Sequence, residues 1–173
     1  MPESHPVTLI TVRVALACYA IVVALMLAGR HGEKWRPVLR AFWSIGCLAF
    51  IAHVIAAFHF SHHWSHSHAI HTTAEQTEEL IGWAFGEGLY FSYLFFLLWI
   101  ADVASWWLAA DRHERRPAWI VWSLHLYMFF IAFNGAIVFE SGVTRPTGVV
   151  AVAVFGLILI RRLRLRRSVT PEL

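Results

Sequence analysis

Six of the chain's eleven histidines, His59, His62, His63, His66, His68 and His71, crowd into the run HFSHHWSHSHAIH. Three carboxylates, Glu75, Glu78 and Glu79, follow. No Lys or Arg lies between Arg40 and Arg112, so no neighbouring cation competes for those carboxylates. Imidazole with carboxylate is a donor set for Zn, Fe, Ni, Cu(II) or Mn, and the lack of thiolate argues against a soft-metal site. On a helix His59, His63 and His66 share one face, and His62 with His66 makes a second i, i+4 pair. Side chains four apart meet on a helix surface, so such a pair can hold one ion. The expected first ligands are His59, His63, His66, Glu75 and Glu79, with His62, His68, His71 and Glu78 as secondary candidates. Three blander readings compete. Glutamates in a first turn stabilise the helix dipole without a ligand. Histidines can form a pH-sensitive surface. A His-rich tract can also bind metal loosely, with no defined site.

A second constellation lies inside apolar segments. Counted along helices, Arg13, His53, Glu87 and Asn134 all fall roughly 8–11 Å below the outer surface. Ionisable groups at that depth are costly and face protein. The expectation is an Arg13–Glu87 ion pair with His53 and Asn134 completing its hydrogen bonds. Glu79, Trp83 and Glu87 would share one helix face and lead inward to it. A proton or ion relay, an inner metal site of His53 and Glu87, and an ion pair that only fixes helix register all fit. Asp102 and His125 pair in depth further in. His53 and His125 are separated by on the order of 12 Å along the membrane normal, which argues against a bis-His haem on them. The sequence has no CxxCH either. His31 and His113 sit in basic loops and are expected to be solvated.

These groups need a scaffold, and composition names it. The chain is 58% hydrophobic and 14% charged over 173 residues. Soluble domains carry about 25% charged residues, so this reads as an all-α integral membrane protein. Five apolar segments approach the length a bilayer demands: residues 7–28, 38–60, 80–108, 118–139 and 147–160. The fifth is the shortest. It spans only if Arg161 and Arg162 snorkel. The N-terminal run has no basic region before it and no small-residue cleavage site after it, so the first segment is kept as a membrane helix and not a signal peptide.

Charge sets the orientation. Twelve of the fourteen basic residues fall between the first and second segments, between the third and fourth, and after the fifth. Five crossings put all three groups on one side, with the N-terminus outside and the C-terminus cytoplasmic. The His/Glu stretch then faces outward, to the periplasm of a bacterium whose inner membrane holds the chain. Basic residues flanking apolar runs are topological signals, not a nucleic-acid footprint.

Local signals add detail. Pro37 and Pro117 each open a segment, and Gly29 and Gly32 close the first. Gly142 and Pro146 mark a turn before the fifth. No Gly or Pro occurs from Cys47 to Ile81, so the second helix is expected to run past the membrane surface. Thr72-Thr73-Ala74-Glu75 reads as a capping box. Residues 59–79 then form a helical hairpin rising from the bilayer, bent near Ser67–His71, within a single membrane domain. Gly82-x-x-x-Gly86 is a small-residue packing motif. Cys18 and Cys47 read as buried thiols rather than a disulfide. Of the nine tryptophans, Trp35, Trp43, Trp64, Trp83, Trp106, Trp107 and Trp119 fit an interfacial belt, while Trp99 and Trp122 lie deeper.

Function follows from the outer cluster. The leading expectation is a polytopic membrane protein binding a divalent transition metal at its outer face, for metal handling or as a subunit of a membrane complex. The alternatives are a metalloenzyme or redox subunit using the cluster with Glu87, and a structural subunit without metal. Five helices are few for an autonomous transporter, so a homo-oligomer or other membrane subunits are expected partners. No nucleotide, hydrolase or zincin motif occurs.

Overall fold

Lipid offers no hydrogen bonds, so an apolar backbone must satisfy its own. The computed structural model, which describes residues 5–138 and 144–169, is accordingly helical, with no strand among the described residues. Helix α1 (Pro6–Leu27) ends at Gly29, whose φ of +79° only glycine adopts without strain. A short 3₁₀ turn, Glu33–Trp35, leads into α2 (Arg36–Ala56), which loosens into a π-turn at Ala57–Ser61. Helix α3 (His66–Ile81) follows, then α4 (Gly88–Leu108), the short α5 (Ala110–Glu114), and α6 (Ala118–Phe133) with a second π-turn at Asn134–Val138. Helix α7 covers Thr144–Val169.

Four of these stretches are long and apolar enough to cross a membrane: Pro6–Leu27, Glu33–Ser61, Gly88–Leu108 and Ala118–Val138. They carry large exposed apolar side chains such as Leu97 and Leu126, as lipid-facing helices must. Helix α7 is not among the four. It begins before the expected 147–160 segment, with Pro146 in its first turn rather than in a preceding loop. Phe139 and Gly142 lie outside the described residues.

The bundle is tightest where α1, α2 and α4 meet. Trp43 and Trp99 are almost fully buried, with ring centres 5.1 Å apart, and Trp99 Nε1 donates to the Trp43 carbonyl at 3.2 Å. Gly46 permits this approach. A Cβ there would stand 2.8 Å from the Trp99 ring and 3.0 Å from Cys18 Cβ. Cys18 and Cys47 are both buried free thiols. Trp43, assigned by sequence to the interface, is therefore core, while Trp122 is half exposed. Aromatic depth along a helix does not reveal which way the ring points.

Between α2 and α4 the structure departs from the sequence expectation in two places. The third segment is not one continuous helix over 80–108. Gly82 takes a left-handed φ of +74° and closes α3 by donating to the Glu78 carbonyl. Residues 83–87 then double back along α3. Phe85 N donates to Thr77 Oγ1 at 2.7 Å, and Gly86 sits so close to Ile70 that a Cβ would meet its carbonyl at 2.7 Å. The bend, moreover, falls at His62–Ser65, not at Ser67–His71. Ser65 caps α3, its hydroxyl accepting from His68 N at 3.2 Å. With that cap in place Thr72 and Thr73 lie inside the helix, donating to the carbonyls of His68 and Ala69, and form no capping box.

Candidate functional site

The outer histidines are arranged by the turn that ends α2. The π-turn delivers His62 N to the Ala57 carbonyl at 3.1 Å, and Trp64 N then reaches back to Phe58 O at 2.9 Å. Closing that reversal puts two consecutive non-glycine residues in the left-handed region, His63 at φ 49° and Trp64 at φ 59°. Each costs about 1–2 kcal/mol. The reversal brings His62, at the end of α2, against His68, on the first turn of α3, with ring centres 5.6 Å apart. His62 Nδ1 is buried there and has no hydrogen-bond partner. Burial, then the neighbouring His68 and His63, push the His62 imidazole below the ordinary histidine range. The ring is therefore neutral at neutral pH, the form that binds metal.

The residues ranked first by helix periodicity go elsewhere. His59 lies exposed against Phe60 and Trp64. His63 is exposed on the turn. His66 Nδ1 is hydrogen-bonded to Tyr93 Oη at 2.9 Å, its ring stacked on the phenol. Glu75 pairs with His71 at 3.3 Å on the open face of α3, and Glu78 and Glu79 are exposed. Among the described residues no three His, Cys, Asp or Glu side chains stand where one ion would reach them all. What comes together is the pair His62 and His68. Helix periodicity cannot rank that pair, because residues six apart do not share a face of one continuous helix.

Of the four polar residues that the sequence places together within the membrane, three have separate partners and the fourth lies apart. Arg13 Nε donates to Thr144 Oγ1 at 3.1 Å, and His53 Nδ1 lies 3.0 Å from the Thr8 carbonyl. Asn134 Nδ2 donates to the Phe130 carbonyl one turn back at 2.7 Å. Glu87 is exposed just before α4, because the break at Gly82 takes it off the helix that carries Glu79. The line Glu79–Trp83–Glu87 along one helix face therefore does not form.

The opposite, basic end holds a cluster that sequence reasoning caught only in part. Asp102, buried on α4, accepts from Trp43 Nε1 at 2.9 Å through one oxygen and from Arg116 Nη1 through the other. Arg116 Nη2 lies 2.5 Å from His113 Nε2. The same His113 Nε2 also stands 3.4 Å from Asp102 Oδ2, so the ring joins the carboxylate and the guanidinium in one cluster. His113 is thus buried, stacked on Trp106 at 4.5 Å, and not solvated as its basic loop suggests. Close by, Arg36 pairs with Glu114 at 2.8 Å. The available signal was Asp102 itself, an acid in the middle of an apolar run, which marks an occupied position by default. Set against known protein families, curated proteins and solved structures, the chain matches none of them, so its functional reading rests on its own geometry.

Proposed function

We propose that this is a polytopic protein of a bacterial inner membrane that binds a divalent transition metal at its periplasmic face through His62 and His68. In this reading α7 completes a fifth crossing. The three basic groups, after α1, around α5 and at the end of α7, lie in the cytoplasm, and the N-terminus is outside. The observation that carries the proposal is the His62–His68 pair. Two imidazoles bound to one ion at about 2.0–2.1 Å have ring centres about 5–6 Å apart, and these stand at 5.6 Å. A buried, unpartnered ring nitrogen next to two residues in strained backbone is a costly arrangement, and such costs collect at functional sites.

Two protein ligands leave about half of a tetrahedral ion's positions open. That suits an exchangeable ion passed to a partner, and it suits metal handling or a role as one subunit of a larger membrane complex, better than a closed structural site. The test is elemental analysis of the purified protein after equilibration with Zn, Ni, Cu(II), Mn or Fe(II). Wild type should carry about one equivalent of the preferred ion. His62→Ala/His68→Ala should lose it while keeping its helical circular dichroism, and His71→Ala/Glu75→Ala should retain it. Unchanged metal content in the first double variant would sink the reading.

A further inference from the structure

The basic end of the bundle contains a cavity of about 630 Å³ among α1, α2, α4, α6 and α7. That is within the range of small-molecule sites. Its charges do not balance. Three guanidinium groups line it, those of Arg36, Arg116 and Arg162, against two carboxylates. Glu114 is taken by Arg36, and Asp102 by Arg116. Arg162 pairs with no carboxylate among the described residues. Its Nη1 donates instead to the last carbonyls of α1, Met26 at 3.3 Å and Leu27 at 3.1 Å. Those contacts cap a helix, but they leave a whole positive charge beside a partly apolar space, where an unpaired ion is costly.

The cavity is also partly open, and its exposed lining lies on α6 and α7. Helix α7 packs chiefly on α1 and on the π-turn Asn134–Val138, so near its arginine-rich end it stands off from α6. Three lining residues on these two helices, Trp122, Leu159 and Leu163, are between 43% and 50% exposed. With α7 as a fifth crossing, a part of the proposed function on which this inference rests, that exposed flank meets lipid. The space therefore has a cationic inner wall and an apolar mouth toward the bilayer.

We propose that this cavity is a site for one anionic phospholipid. Its phosphodiester sits beside Arg162, and one acyl chain leaves between Leu159, Leu163 and Trp122. The lipid supplies the negative charge that the lining lacks, and the mouth supplies a path for a chain that a soluble anion would not need. The site is independent of the metal proposed at the other end.

The protein itself provides the probe, because Trp43, Trp106 and Trp122 line the space. The chain is reconstituted in phosphatidylcholine vesicles containing rising fractions of phosphatidylglycerol with brominated acyl chains, which quench nearby indoles. Wild type should show a saturating quench at low fraction that brominated phosphatidylcholine does not give. Arg162→Gln, which keeps a donor but no charge, should shift the midpoint by about five-fold. Arg162→Lys should stay near wild type, and Arg161→Gln, an exposed neighbour, should not shift it. Identical curves for the two brominated lipids in wild type would overturn the proposal without any variant being needed. So would an Arg161→Gln shift as large as that of Arg162→Gln, since that would be general surface attraction. Relief of the quench by millimolar inorganic phosphate, but not chloride, would reassign the cationic wall to a soluble phosphate and overturn the lipid.

Discussion

The two ends of this bundle use polar residues in opposite ways. At the basic end, Asp102 has both oxygens engaged, by Trp43 and Arg116, and Arg116 in turn holds His113. At the histidine end, most of the imidazoles are exposed, and His62 Nδ1, a buried ring nitrogen, is unpartnered. A carboxylate in apolar surroundings persists only if it is fully paired, so the first cluster acts as a clamp. Exposed imidazoles meet no such requirement, because water serves them, and they stay free to take a ligand. The comparison teaches that a crowd of polar residues in a sequence is not a crowd of interactions. The denser network grew around a single acid.

Removing one member from each end gives the largest contrast. Asp102→Ala strands the Arg116 charge and the Trp43 N–H, and should cost about 3 kcal/mol or more of stability. His66→Ala loses one exposed bond to Tyr93 and should cost under about 1 kcal/mol. Denaturant unfolding in detergent measures both. Equal losses would erase the distinction between clamp and open face.

Crowding at the glycines comes next in size. Gly46→Ala drives a methyl into Trp99 and Cys18 at the junction of three helices and should destabilise the bundle by about 1–3 kcal/mol. Gly86→Ala meets the Ile70 carbonyl. The expected response is lifting of the 83–87 return from α3, seen as faster amide exchange at Phe85, with a smaller change in global unfolding. Slow exchange at Phe85 in that variant would show the return to be as rigid as the core.

The smallest effect is in pH. His62 in the folded chain takes its proton at lower pH than in the unfolded chain, where the value is about 6.5. Between the two values the unfolded state binds more protons, so stability rises with pH and falls as pH drops below about 6.5. His62→Gln should flatten that part of the stability profile by under about 1 kcal/mol. Asp102 is paired and buried at the far end, so substitutions there should leave this slope in place.

Much of the scaffold was legible because its causes are local. Apolar runs of membrane length became α1, α2, α4 and α6, and Pro37 and Gly29 opened and closed helices where expected. The interruption at Gly82 was harder to foresee. A glycine in an apolar run serves equally as a packing residue or a left-handed stop, and only the return of Phe85 to Thr77 selects the stop. Ser65 was missed as a cap because Thr72 and Glu75 offered the fuller motif, but the first cap in the chain preempts the second. Asp102 and Arg162 were visible as charges, but Trp43, which donates to Asp102, lies 59 residues away, and the carbonyls that hold Arg162 lie more than 130 away.

The sequence alone determines that this chain is helical, with apolar stretches long enough to cross a membrane and with most of its histidines and most of its arginines in separate connections. Hydropathy and charge act residue by residue, so order along the chain is enough to settle that much. Which imidazoles meet, what Asp102 holds, and where Arg162 rests were decided by a two-residue left-handed turn and by the rotation of packed helices. Those depend on contacts between distant segments, and hydrophobic periodicity carries no information about them.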